Sequence, residues 1–461
     1  MMKNIYRNGI PLLMAVLLCS VAFTACEEFV ETDLPVTETT ADAVFNDKVT
    51  AEAALLENYV SLRDRVLTTG TIPGIGNLMG MYADESVNWQ VGSIAENTFF
   101  TNALTPSDAA VQTLWNDSYK IIYQCNRVID GVAQSDAFAK ASKDQLTGEA
   151  LFIRSFVHFY LLQLFGNIPY VTSTDYRINK TVAKTPVKDM YRLLAEDLVQ
   201  AGTLLETAVA PVNTRPSKYA VDALLARLYL YAQQYDKALE YSSGVIAAGF
   251  SVDQPVEDTF LKGGKSIIWS LKPGVEGANT HEALIYIVTG ATPTSRSLSE
   301  NLVASFEQGD LRKELWIKKM GTENAPYYHA FKYREKVPSA ATKEHSVLLR
   351  LEEMLMIRLE ADLYLGNNAA ALKGWNRIRE RYGLNPFTEL PTNWKKLLLD
   401  ERRHEFFCEL GHRFFDLKRT GTLEQEMLKA KPSWKKSFAK LPLPQAELML
   451  NPNLLPQNEG Y

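Results

Sequence analysis

The sequence predicts a mainly α fold: a scaffold of tetratricopeptide-like helix pairs with an irregular, loop-rich insert containing short strands. Three observations carry this. Apolar residues recur at three- and four-residue steps along much of the chain, as at Ile153, Phe156, Val157, Tyr160, Leu161, Leu164 and Phe165, which is the spacing of one helix face. Two stretches join such helices in pairs through a short polar turn, a pattern of repeat proteins. Between about 250 and 346 the helical period breaks into short apolar runs separated by glycine and proline.

The chain starts with Lys3 and Arg7, and no further charge follows until Glu27. Between them lies the apolar run Ile10 to Leu18 and then small residues, the layout of a secretory signal. The run is short for a membrane span, which needs ~20 apolar residues. The segment closes on Phe23-Thr24-Ala25-Cys26, so 1–25 resembles a bacterial lipoprotein signal, with Cys26 as the lipidated first residue. Phe23 departs from the usual aliphatic residue of that pattern. Residues 26–45 then read as a tether. Its Glu27, Glu28 and Glu31 resemble an export signal toward the outer face of the outer membrane, although a solvated linker has the same composition.

The region 46–250 carries helical patterns at roughly 50–66, 108–132, 150–165, 186–206, 216–231 and 235–248. Gly166 ends the third, and Pro169 prevents its continuation. The first pair runs from Tyr219 to Leu239, with Ala226 inside its first helix and Tyr235-Asp236-Lys237-Ala238 opening its second. Small residues let two helices approach closely, and the tyrosine fills the wedge at the turn. The insert, 251–346, holds the strand-like runs Ser266 to Leu271 and Leu284 to Val288. The region 347–461 resumes with helices at 347–365, 369–382, 393–410 and 412–419; Ala361 and the turn Gly366-Asn367-Asn368 mark the second pair. Each pair leaves an apolar face uncovered, so the pairs must stack.

A net charge of −5 with no basic stripe excludes nucleic acid as a partner class. Cys19 and Cys26 belong to the leader, which leaves Cys125 and Cys408: either one disulfide or two buried thiols. His404-Glu405 fails as a zinc site because the next histidine is His412, eight residues on rather than four. The other histidines are scattered singly, and His158 on an apolar helix reads as a hydrogen-bonded core residue. No nucleotide or nucleophile fingerprint stands out, so neither a metal nor a cofactor is expected. Asp84-Glu85 is the one carboxylate pair to weigh for glycoside cleavage, and adjacent side chains point apart in most backbones.

Four segments together resemble the SusD/RagB family of nutrient-binding lipoproteins. The first, Glu149 to Pro169, is similar to the family's E-x-x-F-x-R-A-x-x-Y…F-G-x-x-P, with Ser155 in place of the alanine. The second is Phe306 to Arg312 followed by Lys332-Tyr333. The most specific is Glu401-Arg402-Arg403-His404-Glu405-Phe406 with Gly411 to Arg419. The fourth is the tail from Leu443-Pro444 to Tyr461, in which Leu455-Pro456 looks like an insertion and Glu459 stands where the family often has proline. The charged motif residues read as structural, their spacing permitting ion pairs along one helix.

The resemblance implies a surface lipoprotein of the outer membrane that binds an oligosaccharide. It also implies delivery, without turnover, to a SusC-like TonB-dependent outer-membrane barrel. A peptide-binding relative, a glycoside hydrolase and a scaffold that binds only the barrel remain alternatives. A glycan binder needs flat aromatic faces with polar groups at their rim. In the family, ligands sit on loops from two general regions, which here hold Tyr82, Asp84, Asn88 and Trp89 in one and Tyr286, Arg296, Tyr327 and Tyr328 in the other. These eight are the expected ligand contacts. Trp89 leads them, being loop-borne and flanked by Asn88 and Gln90. Trp316 is expected in the core.

Overall fold

The structure, a computed structural model, describes residues 44–461 apart from 208 and 211. The signal at 1–25, the anchor Cys26 and nearly all of the tether lie outside the described residues. Helices dominate, as the apolar period predicts: eighteen α-helices and six short strands among the described residues. In chain order the first elements are α1 (Lys48–Asp64), α2 (Ile75–Tyr82), β1 (Ser86–Asn88), α3 (Ile94–Phe100), α4 (Ala109–Gln134), α5 (Lys140–Phe165), α6 (Tyr176–Asn179), α7 (Val187–Leu204), α8 (Lys218–Tyr231) and α9 (Tyr235–Ile246). The insert holds β2 (Ile267–Leu271), α10 (His281–Tyr286), β3 (Arg296–Leu298), α11 (Glu300–Ser305), α12 (Leu311–Trp316), β4 (Ile317–Thr322) and β5 (Ala325–Ala330). Then come β6 (Ser346–Arg350), α13 (Leu351–Leu365), α14 (Asn368–Arg381), α15 (Trp394–Phe406), α16 (His412–Arg419), α17 (Leu423–Ala430) and α18 (Gln445–Leu450).

Local chemistry sets the helix ends. The Asp47 side chain accepts from Thr50 N at 3.1 Å and starts α1. Gly166 (φ 78°) closes α5 and Gly366 (φ 77°) closes α13, each in a backbone conformation that favours glycine. From Gly148 onward every residue of α5 is buried, so this helix is the axis of the N-terminal half. Its Phe152 and Phe156 pack edge-on to Trp269 of β2 at 4.9 and 5.2 Å between centroids.

The helix pairs stack as predicted. Helix α4 lies on α5, α5 on α7, α7 on α8, α8 on α9, α9 on α13 and α13 on α14. Ala226, Ala238 and Ala361 have no exposed surface where the helices meet. Tyr235, at the turn of the first pair, stacks on Tyr364 of the second at 4.2 Å and 5°. It thus ties one pair to the next.

The strands form three antiparallel two-stranded sheets, β1 with β3, β2 with β6, and β4 with β5. Two expectations change here. Leu284 to Tyr286 lie in helix α10 rather than a strand, because Thr280 caps the segment by accepting from Ala283 N at 3.2 Å; a short apolar run carries no period that separates helix from strand. Residues 347–350 belong to β6 rather than to the following helix, since β2 is fully buried and needs a partner for its backbone groups. One apolar cluster joins residues of the insert, such as Phe260, Trp316 and Tyr333, to Trp375, Phe406 and Phe407 of the C-terminal region.

The motif charges are structural, but they reach further than one helix. Arg402 meets Asp416 at 2.7 Å, Arg350 meets Glu405 at 2.5 Å, and Arg419 meets Glu360 at 2.5 Å. Arg227 pairs with Glu353 at 2.6 Å, both essentially buried. Only Arg419 with Asp416, at 2.8 Å, follows the expected spacing within one helix. The rest tie separate elements together: strand β6 to α15 through Arg350, α15 to the next helix α16 through Arg402, α13 to α16 through Glu360, and α8 to α13 through Arg227, where a desolvated charge needs a fixed partner.

Candidate functional site

Strand β1 and the loop after it form one wall of the site. Alternation along a strand sends Ser86 and Asn88 to one side and Val87 to the other, and the burial of these three residues follows that alternation. Trp89 continues the Val87 side. Its backbone N donates to Ser295 O at 2.8 Å, and its indole Nε1 donates to Ser297 Oγ at 2.9 Å. Ser297 is the cross-strand partner of Val87, so the hydrogen bond fixes the indole over β3.

The second wall is the β4–β5 hairpin. Tyr327, opposite Met320 in this hairpin, packs against Trp89 with centroids 5.3 Å apart and planes at 90°. Trp89 remains 42% exposed despite these contacts. Two further apolar side chains stand clear of the surface nearby in sequence, Val91 (79%) on the same loop and Ile94 (77%) at the first position of α3. Trp89, part exposed, and Tyr327, half-buried, make an aromatic step where the β1–β3 and β4–β5 sheets meet. Rigid rings pay little entropy when a flat sugar face covers them.

The remaining expected contacts are corrected by burial. Tyr82 is fully buried, in edge contact with Phe99, Phe414 and Trp434, and its hydroxyl donates to Phe438 O at 3.0 Å. Asp84 is held by Arg403 at 2.9 Å and Arg413 at 3.0 Å; burial opposes its charge, but the two guanidiniums outweigh it and lower its pKa. Tyr286 lies in the core. Arg296 is buried beside it, pairs with Glu96 at 2.5 Å and donates to Ile285 O at 2.6 Å. Tyr328, next to Tyr327, turns to the core side of its strand. Asn88 does not face outward; its Oδ1 accepts from Gln90 N at 3.0 Å and shapes the loop that presents Trp89.

Trp316 is in the core, as expected. Val91 and Ile94 escaped the sequence reading. Their signal was two aliphatic residues in an otherwise polar stretch, too weak without knowledge that the loop and the start of α3 stand exposed.

Glu85 is buried beside Asp84; burial first, then the neighbouring carboxylate, push its pKa up to about 7. Asp84 is thus committed to two arginines and Glu85 is enclosed, so the pair is built as structure. Cys125 and Cys408 are free and buried, and burial lifts both thiols to about 12. His158 is a core residue: its Nε2 accepts from Val171 N, so its Nδ1 donates to Arg154 O at 3.0 Å. His404 stacks on Phe306 and meets Ser305 Oγ at 2.8 Å. Among the described residues no group of His, Cys, Asp and Glu is placed to hold a metal, and no helix is long and apolar enough to cross a membrane.

Comparison with known proteins adds a family context. A family model described as "Starch-binding associating with outer membrane" matches residues 40–230, and one described as "SusD family" matches 316–436. SusD-like protein P2 of Formosa agariphila is 24% identical, covering 91% of this chain and 94% of its own. SusD-like protein P38 of the same organism is 24% identical over 75% of this chain and 79% of its own. Among solved structures, a SusD superfamily protein of Bacteroides vulgatus superposes with a TM-score of 0.79 at 20% identity, covering 90% of this chain and 99% of that one. A laminarin-binding SusD-like protein superposes with a TM-score of 0.74 at 20% identity, covering 90% and 99%. At this identity the superpositions establish a shared fold.

Proposed function

This chain belongs to the SusD/RagB family, and on that premise we propose that it is a surface glycan-binding lipoprotein of the outer membrane. It captures an oligosaccharide and passes it, unaltered, to a SusC-like TonB-dependent barrel. The observation that carries the binding role is the Trp89–Tyr327 step, with two perpendicular rings fixed by β-sheet backbone and an indole left 42% exposed. Two adjoining aromatic rings held on a rigid base form the kind of apolar platform that ligand sites use. Pyranose C–H faces fit it. A fold neighbour described as laminarin-binding supports the same ligand class.

Binding without cleavage fits the state of Asp84 and Glu85. A glycosidase needs an acid and a base on either side of the scissile bond, and here one carboxylate is spent on two arginines while the other is enclosed. The lipid anchor at Cys26 and the barrel rest on the signal pattern and on family membership.

Calorimetric titration against a panel of neutral and acidic oligosaccharides and short peptides tests this reading. Glycan binding with no new reducing ends is expected. Peptide binding with silence across the glycans would replace it with the peptide-carrier alternative, and new reducing ends would replace it with the hydrolase. Recovery of a barrel with the detergent-extracted lipoprotein checks the delivery step.

A further inference from the structure

The face of β1 that carries Trp89 does not end there. Val87, two residues back on the same face and so about 7 Å away along the strand, lines a cleft of about 500 Å³. This lies within the range of about 300–1,000 Å³ typical of small-ligand sites. The far walls come from the end of α3, with Phe100 and Thr101, and from the end of α17, with Ala430 and Ser433 just beyond it. Ser299 and Asn301, at the start of α11, complete the rim.

Four charged side chains border the cleft, and the protein occupies each of them. Asp84 is held by Arg403 and Arg413. Glu426 and Lys429 pair with each other at 2.5 Å. Lys431 gives its ammonium to three backbone carbonyls, Met81 O at 2.6 Å, Phe100 O at 2.7 Å and Tyr82 O at 3.1 Å, and lies 5.2 Å from the centroid of the Phe100 ring. Asp84 and Lys431 are thus committed to partners inside the protein, and the exposed Glu426 and Lys429 offset each other, so the four bordering charges add to no net charge for an ionic ligand to meet.

What is left is uncharged. Asn301 Oδ1 accepts from Arg403 Nη1 at 2.9 Å. A guanidinium only donates, so this contact fixes the amide orientation and frees Nδ2 as a donor. Neither Asn301 Nδ2 nor Ser433 Oγ has a hydrogen-bond partner among the described residues. Neutral donors above the apolar surface of Val87 and Phe100 suit hydroxyl groups and ring C–H groups together.

Resting on the glycan-binding reading above, we infer that this cleft is a second subsite of the same surface. It takes an uncharged, hydroxyl-rich sugar unit lying further along a chain than the neighbour of the unit on Trp89, beyond the reach of a disaccharide seated on the indole. The protein therefore selects neutral chains over uronic-acid or sulfated ones, and chains long enough to bridge both sites over disaccharides.

The test uses maltose, laminaribiose and the neutral hexasaccharides of the α-1,4-glucan, β-1,3-glucan, β-1,4-xylan and β-1,4-mannan series, with hexagalacturonate and hexamannuronate as anionic probes. Titrations compare the wild type with Ala430→Trp, which fills the cleft from the exposed end of α17, with Asn301→Ala, and with Trp89→Ala. The expected result is that at least one neutral hexasaccharide binds, tenfold or more weakly to Ala430→Trp and several-fold more weakly to Asn301→Ala. Disaccharide affinity stays unchanged in both cleft variants, and the hexauronides bind none of the proteins. Unchanged hexasaccharide affinity in both cleft variants, with loss in Trp89→Ala, overturns the subsite and leaves the reading intact. Tighter binding of a hexauronide than of every neutral probe overturns the neutral selection. Silence of the wild type across all the probes removes the glycan reading and the subsite with it. Asn301→Ala changes one surface side chain and serves alone if Ala430→Trp does not fold.

Discussion

Replacing Trp89 by alanine removes the ring on which the proposed function rests, and the structure sets the size of the effect. An aromatic side chain of this class presents about 150–250 Å², and 42% of Trp89 is exposed, which leaves about 100 Å² for a ligand to cover. At about 25 cal/mol per Å², full coverage is worth about 2.5 kcal/mol, and coverage of half the area about 1.2 kcal/mol. With about 1.4 kcal/mol per decade of affinity, Trp89→Ala should weaken binding about 8- to 60-fold. The fold should survive, because the ring gives up one hydrogen bond to Ser297 and one edge contact with Tyr327, each worth about 1 kcal/mol. Calorimetry with the best glycan of the panel reads the first effect, and a thermal melt reads the second. Trp89→Phe keeps an apolar face without the indole donor and should fall between wild type and alanine. Affinity for Trp89→Ala within twofold of wild type, measured on protein that still melts cooperatively, would refute the reasoning outright.

Other consequences follow from buried charge. Glu405 is fully buried between Arg350 at 2.5 Å and Arg312 at 3.3 Å; burial would raise its pKa, but Arg350 and then Arg312 outweigh it and bring it down to about 2. A depressed carboxylate lends stability above its unfolded pKa and loses it as pH falls, so denaturant midpoints should drop between about pH 4.5 and 2. Glu405→Gln, measured at pH 7, should cost on the order of 3 kcal/mol and flatten that acid limb; an unchanged midpoint would mean that the pair contributes nothing net. Glu85 has the opposite sign. With its folded pKa raised to about 7, its contribution is whole below about pH 4.5 and is lost as pH rises through 7. Glu85→Gln should therefore raise the melting temperature at pH 8 and change little at pH 4, and equal shifts at both would contradict the linkage. Finally, the buried Cys125 and Cys408, with thiols lifted to about 12, should resist a thiol reagent in the folded body and react together once denaturant is added; rapid reaction of either in the native state would place it nearer the surface.

The helix-pair scaffold was legible because its signal is local. The three- and four-residue steps of α5, the alanines inside α8 and α13, and the glycines at 166 and 366 each act within a turn or two of helix. The strands were half legible: β2 shows as an apolar run, while β6 hides within a helical pattern until its partner is known. The partners of the motif charges were not legible. Arg403 and Arg413 both converge on Asp84, more than three hundred positions away, and no spacing rule reaches that far.

The site divides in the same way. The sequence alone determined that Trp89 sits on a loop among polar residues and that this chain is built from stacked helix pairs, because composition and short-range period carry both. Tertiary structure decided which aromatics meet solvent. Tyr82 and Tyr286 stand with Trp89 among the contacts the sequence suggests, yet packing buries both and leaves Trp89 at the surface beside Tyr327. It also decided the neutral character of the adjoining cleft, since whether Asp84, Glu426, Lys429 and Lys431 are free or occupied depends on partners contributed by the folded chain. Exposure and charge pairing are properties of three-dimensional neighbourhood, and a linear pattern holds only the neighbours a few residues away.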